Sequence, residues 1–450
     1  TFGYCRSSGR KSVARDKRGL TRPGHPPKIF VLKASFNHSI VFAKLLQPLW
    51  HLLPHCRHTR QCPQLPDADW LAVGLCRALR PEASGRAFLQ FFNETTDAEL
   101  KRAGFFESLK SVRRLRLSQE VGSALRQTLR TELADPWADF PTLAAFEVFA
   151  GDGHFHAPAT HDRHADGKKY PVGHLFTLDL RTQALGHLTV GDQVNRKKEH
   201  DMRALKRLTV QTLRQGAPKG RKVMYVWDKA GIDFVQWHRW KQQGIYFISR
   251  QKENMKLEVH AERPIDRTQP INQGVLTEEW VAGGQGVLVR RIVYHCPVTN
   301  VTFEFLTNEM NLEPGLIALL YKRRWDVEKV FDELKNRLRE KKAWASSATA
   351  KTIQAHFLCL LHNLMVLLEA QVEAREGIRN EPELARRAQR LAEVRQQVEA
   401  QGAKLPLVYT ALQRLTQRGV KWIRWLCNHL FGNVSWAKAL AALRRIYQSL

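Results

Sequence analysis

Between residues 146 and 249 the chain alternates short apolar runs with helical spacing, and few architectures accept that order. Phe146-Glu-Val-Phe-Ala150 reads as a strand that ends in a turn at Gly151 and Gly153. Residues 172–180 and 184–190 read as two more strands around Arg181-Thr-Gln. Residues 200–215 have helical spacing, 222–227 form a buried strand ending at Asp228, 234–243 a helix and 244–249 a further strand. This order predicts a mixed α/β layer.

The flanks differ in character. Residues 1–35 are basic, rich in Gly, Ser and Pro, and predict a disordered tail. Residues 36–140 predict a helical N-terminal DNA-binding region. In it, 108–133 alternates basic residues with Val112, Leu115, Leu117, Val121, Leu125 and Leu129. That stretch fits either a helix contacting DNA or a solvated face over a local core. A catalytic α/β domain is expected over 141–345, interrupted at about 251–310 by strand-like runs at 257–262, 287–294 and 302–306. One long helix should cover 313–340. A helical C-terminal region, 346–450, should follow, with a solvent-facing excursion at 371–402 and Trp422, Trp425 and Trp436 on an amphipathic helix.

Charge narrows the partners. The 450 residues hold 71 Lys and Arg against 43 Asp and Glu, a net +28. Each phosphate such a surface neutralises releases counterions, which favours nucleic acid over an anionic membrane. The longest apolar stretch, 357–368, is broken by His362 and Asn363 and is too short to span a bilayer, so no membrane partner is expected. Seven scattered cysteines argue for a reducing compartment rather than a disulfide framework. Cys56 and Cys62 lie near His51, His55 and His58, but their spacing fits no standard zinc finger and reads as an incidental loop. Because the chain starts at Thr1 rather than Met, its natural N-terminus is expected to be processed or to lie elsewhere.

The segment Tyr321-Lys-Arg-Arg-Trp-Asp-Val-Glu-Lys-Val-Phe-Asp-Glu-Leu-Lys335 carries the chemistry. At about 100° per residue, Tyr321, Arg324, Glu328 and Lys335 share an arc of about 60° on one helix. Leu319, Leu320, Val327, Val330, Phe331, Leu334 and Leu338 form the adjoining core face. A carboxylate edged by two cations and a phenol suits a metal held against a phosphate. Phosphodiester chemistry at neutral pH is well served by two divalent ions about 3.5–4 Å apart, held by a few carboxylates on rigid elements. Asp152 and Asp228, each following a strand, supply the other two carboxylates at the strand ends where ligands gather in α/β sheets. An Asp at a strand end is also an ordinary turn or N-cap residue. Local rivals are Asp162, Asp166 and Asp179 for Asp152, Asp233 for Asp228, and Asp332 and Glu333 for Glu328. His154, His156, His161 and His164 cluster beside Asp152 without a second set of metal-spaced ligands, and read as a polar loop.

The pattern Y-x2-R-x3-E-x6-K at Tyr321, Arg324, Glu328 and Lys335 resembles the YREK signature of the insertion-sequence-four family of DDE transposases. Val223-Met-Tyr-Val-Trp-Asp-Lys-Ala-Gly is similar to that family's second-Asp strand, and Gly244-Ile-Tyr-Phe-Ile-Ser-Arg250 to the strand and basic residue after it. The resemblance covers roughly 145–345. It implies an RNase H-like mixed sheet with a β-rich insertion, and Asp152, Asp228 and Glu328 as a catalytic, metal-binding triad for two Mg²⁺ ions, with Mn²⁺ as a substitute. It implies that Tyr321, Arg324, Lys335 and Arg250 hold DNA phosphates, and that a homodimer forms the synaptic complex. Trp280, in the insertion, is a candidate to stack on a flipped base. The implied activity is cleavage at transposon terminal inverted repeats and transfer of the 3′-OH into target DNA, in a cytoplasmic, nucleoid-associated setting. The alternatives are a nuclease of the same fold that cuts without joining, and a non-catalytic DNA-binding descendant of a transposase.

Overall fold

In the computed structural model of the chain, the described residues are 35–448 apart from 37, 61, 63, 81–83, 97, 163–166, 192–198 and 411–419. The expected basic tail therefore lies, except for Ser35, outside the described residues.

Five helices come first: α1 (Ile40–Leu52), α2 (Asp67–Leu79), α3 (Gly85–Thr96), α4 (Arg102–Phe105) and α5 (Val112–Glu132). Ser39 and Ser111 cap α1 and α5 by accepting the Phe42 and Arg114 backbone N–H groups, which would otherwise lack partners. Three of the basic residues of α5 are spent internally, while Arg116 is exposed. Arg113 and Arg114 face Asp67, at 2.7 and 3.6 Å, and Arg130 pairs with Glu147 at 2.9 Å and with Asp179 at 3.3 Å.

The sheet begins with β1 (Phe146–His156), β2 (Val172–Asp179) and β3 (Leu185–Val190). The short helices α6 (Asp201–Lys206) and α7 (Val210–Leu213) stand where one helix was expected. Then come β4 (Lys222–Val226), α8 (Phe234–Lys241) and β5 (Ile245–Arg250). The insertion supplies β6 (Glu258–Glu262), β7 (Val275–Ala282), β8 (Leu288–Cys296) and β9 (Val301–Thr307). All nine join one sheet in the order β3-β2-β1-β4-β5-β9-β8-β7-β6. β1 to β3 are antiparallel, β1, β4 and β5 run parallel, and β9 lies antiparallel on β5. This is a mixed α/β architecture of the RNase H-like kind, and its insertion extends the central sheet itself.

The period-2 alternation of the strands separates two cores. Val148, Ala150, Met224, Val226 and Ile248 point to a face shared with the N-terminal helices and the long helices downstream. Phe149, Tyr225, Trp227 and Phe247 point to the other, with Leu205, Leu213, Trp237 and Trp240 from α6, α7 and α8.

One reading of β1 is corrected. Gly151 and Gly153 do not end it: both have ordinary extended backbone, and the strand runs on to His156 against β2. Gly151 is there because a Cβ would lie 1.7 Å from the buried Trp227 ring. β4, however, stops pairing with β1 at Ala150–Val226, so Asp152 still projects past the carboxyl end of the parallel strands.

The expected helix over 313–340 is a broken series. It consists of α9 (Pro314–Arg323), α10 (Trp325–Asp332) and a π-helical turn over Glu333–Arg337. After it come α11 (Ala348–Glu376), α12 (Glu381–Ala400), α13 (Leu407–Thr410), α14 (Val420–Asn428) and α15 (Trp436–Gln448). By length and composition α11 is apolar enough to cross a membrane, yet 83% of its apolar window is buried here. It packs on α1, α2, α5 and β3 as the central helix of the first core.

Candidate active site

Three elements meet where β4 ends and β1 runs on alone against β2. β1 presents Asp152 on the face that meets α10. Asp228 follows β4 by two residues. Its side chain accepts the Ala230 N–H at 2.8 Å, which caps a short 3-10 turn, and the Ser249 hydroxyl on β5 donates to its carbonyl at 2.6 Å. Glu328 lies in the first turn of α10.

Arg324, at the junction of α9 and α10, ties this together. Its Nη2 lies 2.8 Å from Glu328 Oε1 and its Nη1 3.7 Å from Asp152 Oδ2. The side chain is 6% exposed, against 21% for Asp152 and 31% for Glu328. Its guanidinium lies over the exposed Trp325 ring, 4.9 Å from the centroid, and hydrogen-bonds with Tyr321. Burial opposes the Arg324 charge, but Tyr321, Glu328 and Asp152 outweigh it and raise its pKa.

The acids strain against one another. Burial pushes the Asp152 carboxyl up to about 6, against the lowering effect of the Gly153 N–H and Arg324, while the charges of Asp228 and Asp201 add to the rise. Burial likewise raises the Tyr321 phenol; Arg324 and Arg250 pull it down and Asp228 raises it again. Tyr321, Arg324, Arg250, Asp152 and Asp228 are thus linked electrostatically, and Glu328 joins them through Arg324. Arg250 also lies on the Phe303 ring at 5.0 Å. Lys335 stands apart, exposed on the π-helical turn, where its charge bears on His154. A π turn holds more residues than an α turn, so the 100° wheel misplaces Lys335 relative to Glu328.

The rivals have other work. Asp162 pairs with Lys351 at 2.6 Å, and Asp179 with Arg130. Asp233 caps α8 through the Gln236 N–H and pairs with Lys206. Asp332 takes Asn336 at 2.7 Å, and Glu333 is buried against His362 at 3.3 Å. Asp166 and His164 lie outside the described residues. His154 and His156 are core rather than loop, whereas His161 is exposed in a turn. His154 packs on Phe331, and His156, His174 and His187 form a chain with N···N distances of 3.2 and 3.1 Å. Burial lowers His154, His156 and His187 to about 4, so they are neutral at physiological pH. His58 pairs with Glu120 at 2.9 Å, and the Cys56 thiol contacts the Leu52 carbonyl.

Two neighbours were missed by the sequence reading. Asp201, at the start of α6, approaches β1 so closely that a Cβ on Gly153 would lie 3.1 Å from its carboxylate. His200, just before it, lines a cavity of about 520 Å³ that opens at Asp228, with Lys229, Lys252 and Glu253 on its wall. An acid opening a short helix looks like any capping residue, so no signal marked it.

The donor set is all oxygen, which fits a hard divalent cation, and the mutual repulsion felt by Asp152 is what such a charge relieves. Among the described residues, no three His, Cys, Asp or Glu side chains meet closely enough to hold one ion. Between Asp152 and Glu328 the positive charge is the Arg324 guanidinium.

No curated protein matches the chain. Residues 147–364, which contain the three carboxylates, the whole sheet but for its first residue, and the helices that complete the site, match the family model of the transposase DDE domain.

Proposed function

We propose that this protein is a DNA transposase of the insertion-sequence-four type, which cleaves transposon ends and joins the freed 3′-OH to target DNA. The observation that carries this is Arg324, held between Asp152 and Glu328 beside Asp228 at the carboxyl ends of the parallel strands. Asp152, Asp228 and Glu328 are the residues that would hold two Mg²⁺ ions, or Mn²⁺ in their place. When bound, these ions activate the attacking oxygen and stabilise the leaving one.

The chain's own residues supply the rest. Arg324 offers a planar fork that can leave the carboxylates for a phosphate, Arg250 a second cation, and Tyr321 a hydroxyl donor beside them. Lys335, about two turns beyond Glu328, reaches the backbone past the scissile bond. Arg324 balances Glu328 and Asp152 until DNA and metal arrive together; the nucleophile in this reading is a water and then a DNA 3′-OH, with no covalent protein intermediate. A homodimer in the synaptic complex would place two such sites on two ends.

A plasmid bearing the element's terminal inverted repeats, incubated with the protein and Mg²⁺ or Mn²⁺, should be cut at the repeats, and precleaved ends should be joined to a second plasmid. Cutting without joining would point to a nuclease. Binding with neither would leave a DNA-binding protein.

A further inference from the structure

A second basic cleft, away from the carboxylates, lies between the N-terminal helices and the segment that follows the π-helical turn. It encloses about 580 Å³. Arg86 comes from α3, Arg102 from α4, Lys110 from the turn before α5, and Lys342 from the downstream segment. All four are exposed. Glu107 is the one acid on the wall among the described residues, and it pairs with Lys110 at 2.7 Å. Arg86 and Arg102 make no salt bridge among the described residues. Ser84, Thr160 and Ser346 add hydroxyls, and Lys342 Nζ donates to Thr160 at 2.8 Å. Hydroxyls and forked cations together are the set that grips a sugar–phosphate backbone.

The cleft is rigidly joined to the site. Ala157, one residue past β1, bridges to Lys342, and Ala159 and Thr160 line the cleft. At about 3.3 Å per residue, β1 carries the chain about 13 Å from Asp152 to His156, and the cleft begins just beyond. A duplex advances about 3.4 Å per base pair, so this span is about four base pairs or more. Three of the α5 cations, Arg113, Arg114 and Arg130, are already paired inside the fold, so the cleft offers a denser set of exposed cations than α5 does.

We propose that this cleft holds the phosphate backbone of the same DNA at least about four base pairs from the scissile phosphate, clamped jointly by the N-terminal helices and the segments that follow β1 and the π-helical turn. The inference rests on the proposed transposase reading, and its test separates the two. The salt dependence of binding to a 30-bp duplex is measured for the wild type, for R86A/R102A/K342A, and for R386A/R390A/R395A on α12, which removes the same charge elsewhere. Removing three phosphate contacts should flatten the slope of log K against log[salt] by roughly 2–3, and the α12 variant should change it by less than one. Equal slopes for the two variants would overturn the cleft proposal and leave the transposase reading standing. A wild type that binds no duplex would sink that reading first. Should the cleft variant fail to fold, acetylation of the wild type decides: duplex should shield Lys342 and Lys110, and unshielded lysines would overturn the proposal.

Discussion

Arg324 Nη2 stands 2.8 Å from Glu328 Oε1, across the junction of α9 and α10, and so neutralises a proposed metal ligand with the protein's own cation. Removing the guanidinium has two opposite expected effects. Arg324→Ala should bind Mn²⁺ more tightly than the wild type in the absence of DNA, read by calorimetry or by the Mn²⁺ spin signal. It should bind DNA more weakly, with a salt slope lower by about one. Unchanged Mn²⁺ affinity would mean that the guanidinium does not stand where the ion goes. Arg324→Lys should recover the charge but not the forked geometry, and restore binding only in part.

The proposed triad and its rivals should separate under conservative substitution. Asp152→Asn, Asp228→Asn and Glu328→Gln should each lower cleavage on the order of 10²–10³-fold or more, the scale of losing one preorganised electrostatic group, while duplex binding persists. Asp233→Asn should leave cleavage within a few-fold and cost about 1 kcal/mol of stability through the weakened α8 cap and the lost Lys206 pair. Full cleavage by any of the first three would remove that residue from the triad.

Gly151 and Trp227 set the spacing of the strands that lead to Asp152 and Asp228. With a Cβ placed 1.7 Å from the indole, Gly151→Ala should destabilise the protein by about 1–3 kcal/mol in urea unfolding. It should lower cleavage beyond the fraction unfolded, because the two carboxylates shift together. Adding Trp227→Phe should return part of the loss. Strict additivity of the two changes would show that they do not communicate.

Glu340 provides the pH dependence. It is buried, takes hydrogen bonds from the Gln354 and Trp344 side chains, and burial raises its carboxyl from 4.5 to about 7. The folded state thus holds a proton that the unfolded chain has released. The resulting stability is fully present below pH 4.5 and is lost as pH rises through about 7. Glu340→Gln cannot ionise. Relative to the wild type it should gain on the order of 1–3 kcal/mol between pH 4 and pH 8, measured by denaturant unfolding. A pH-independent difference would mean that the carboxyl is not held neutral by its surroundings.

Much of this was legible in the sequence where local pattern and tertiary environment agree. The apolar stripe of α9 and α10, the strand leading to Asp228 and the helical N-terminal region follow from periodicity alone. The failures have physical causes. β1 looked finished at Gly151 because two glycines in a polar run imitate a turn, whereas one of them makes room for Trp227 and the other for Asp201. β7 was missed because Glu278 and Glu279 interrupt its apolar pattern, and only distant partners, Arg263 with Arg290 and Arg291 on β8, allow those charges to be buried. The basic residues of α5 looked available for DNA because their acids, Asp67, Glu147 and Asp179, come from other elements. The displacement of Lys335 follows from one π turn, which no helical wheel contains.

The insertion hairpins are hydrogen-bonded into the same sheet as the reacting centre, since β9 zips onto β5 at Ile248–Thr307, Ser249–Leu306 and Arg250–Phe305. Ser249, inside that seam, holds the main chain at Asp228. A load applied to the outer ribbons by bent nucleic acid would therefore travel across interstrand bonds rather than dissipate in a hinge.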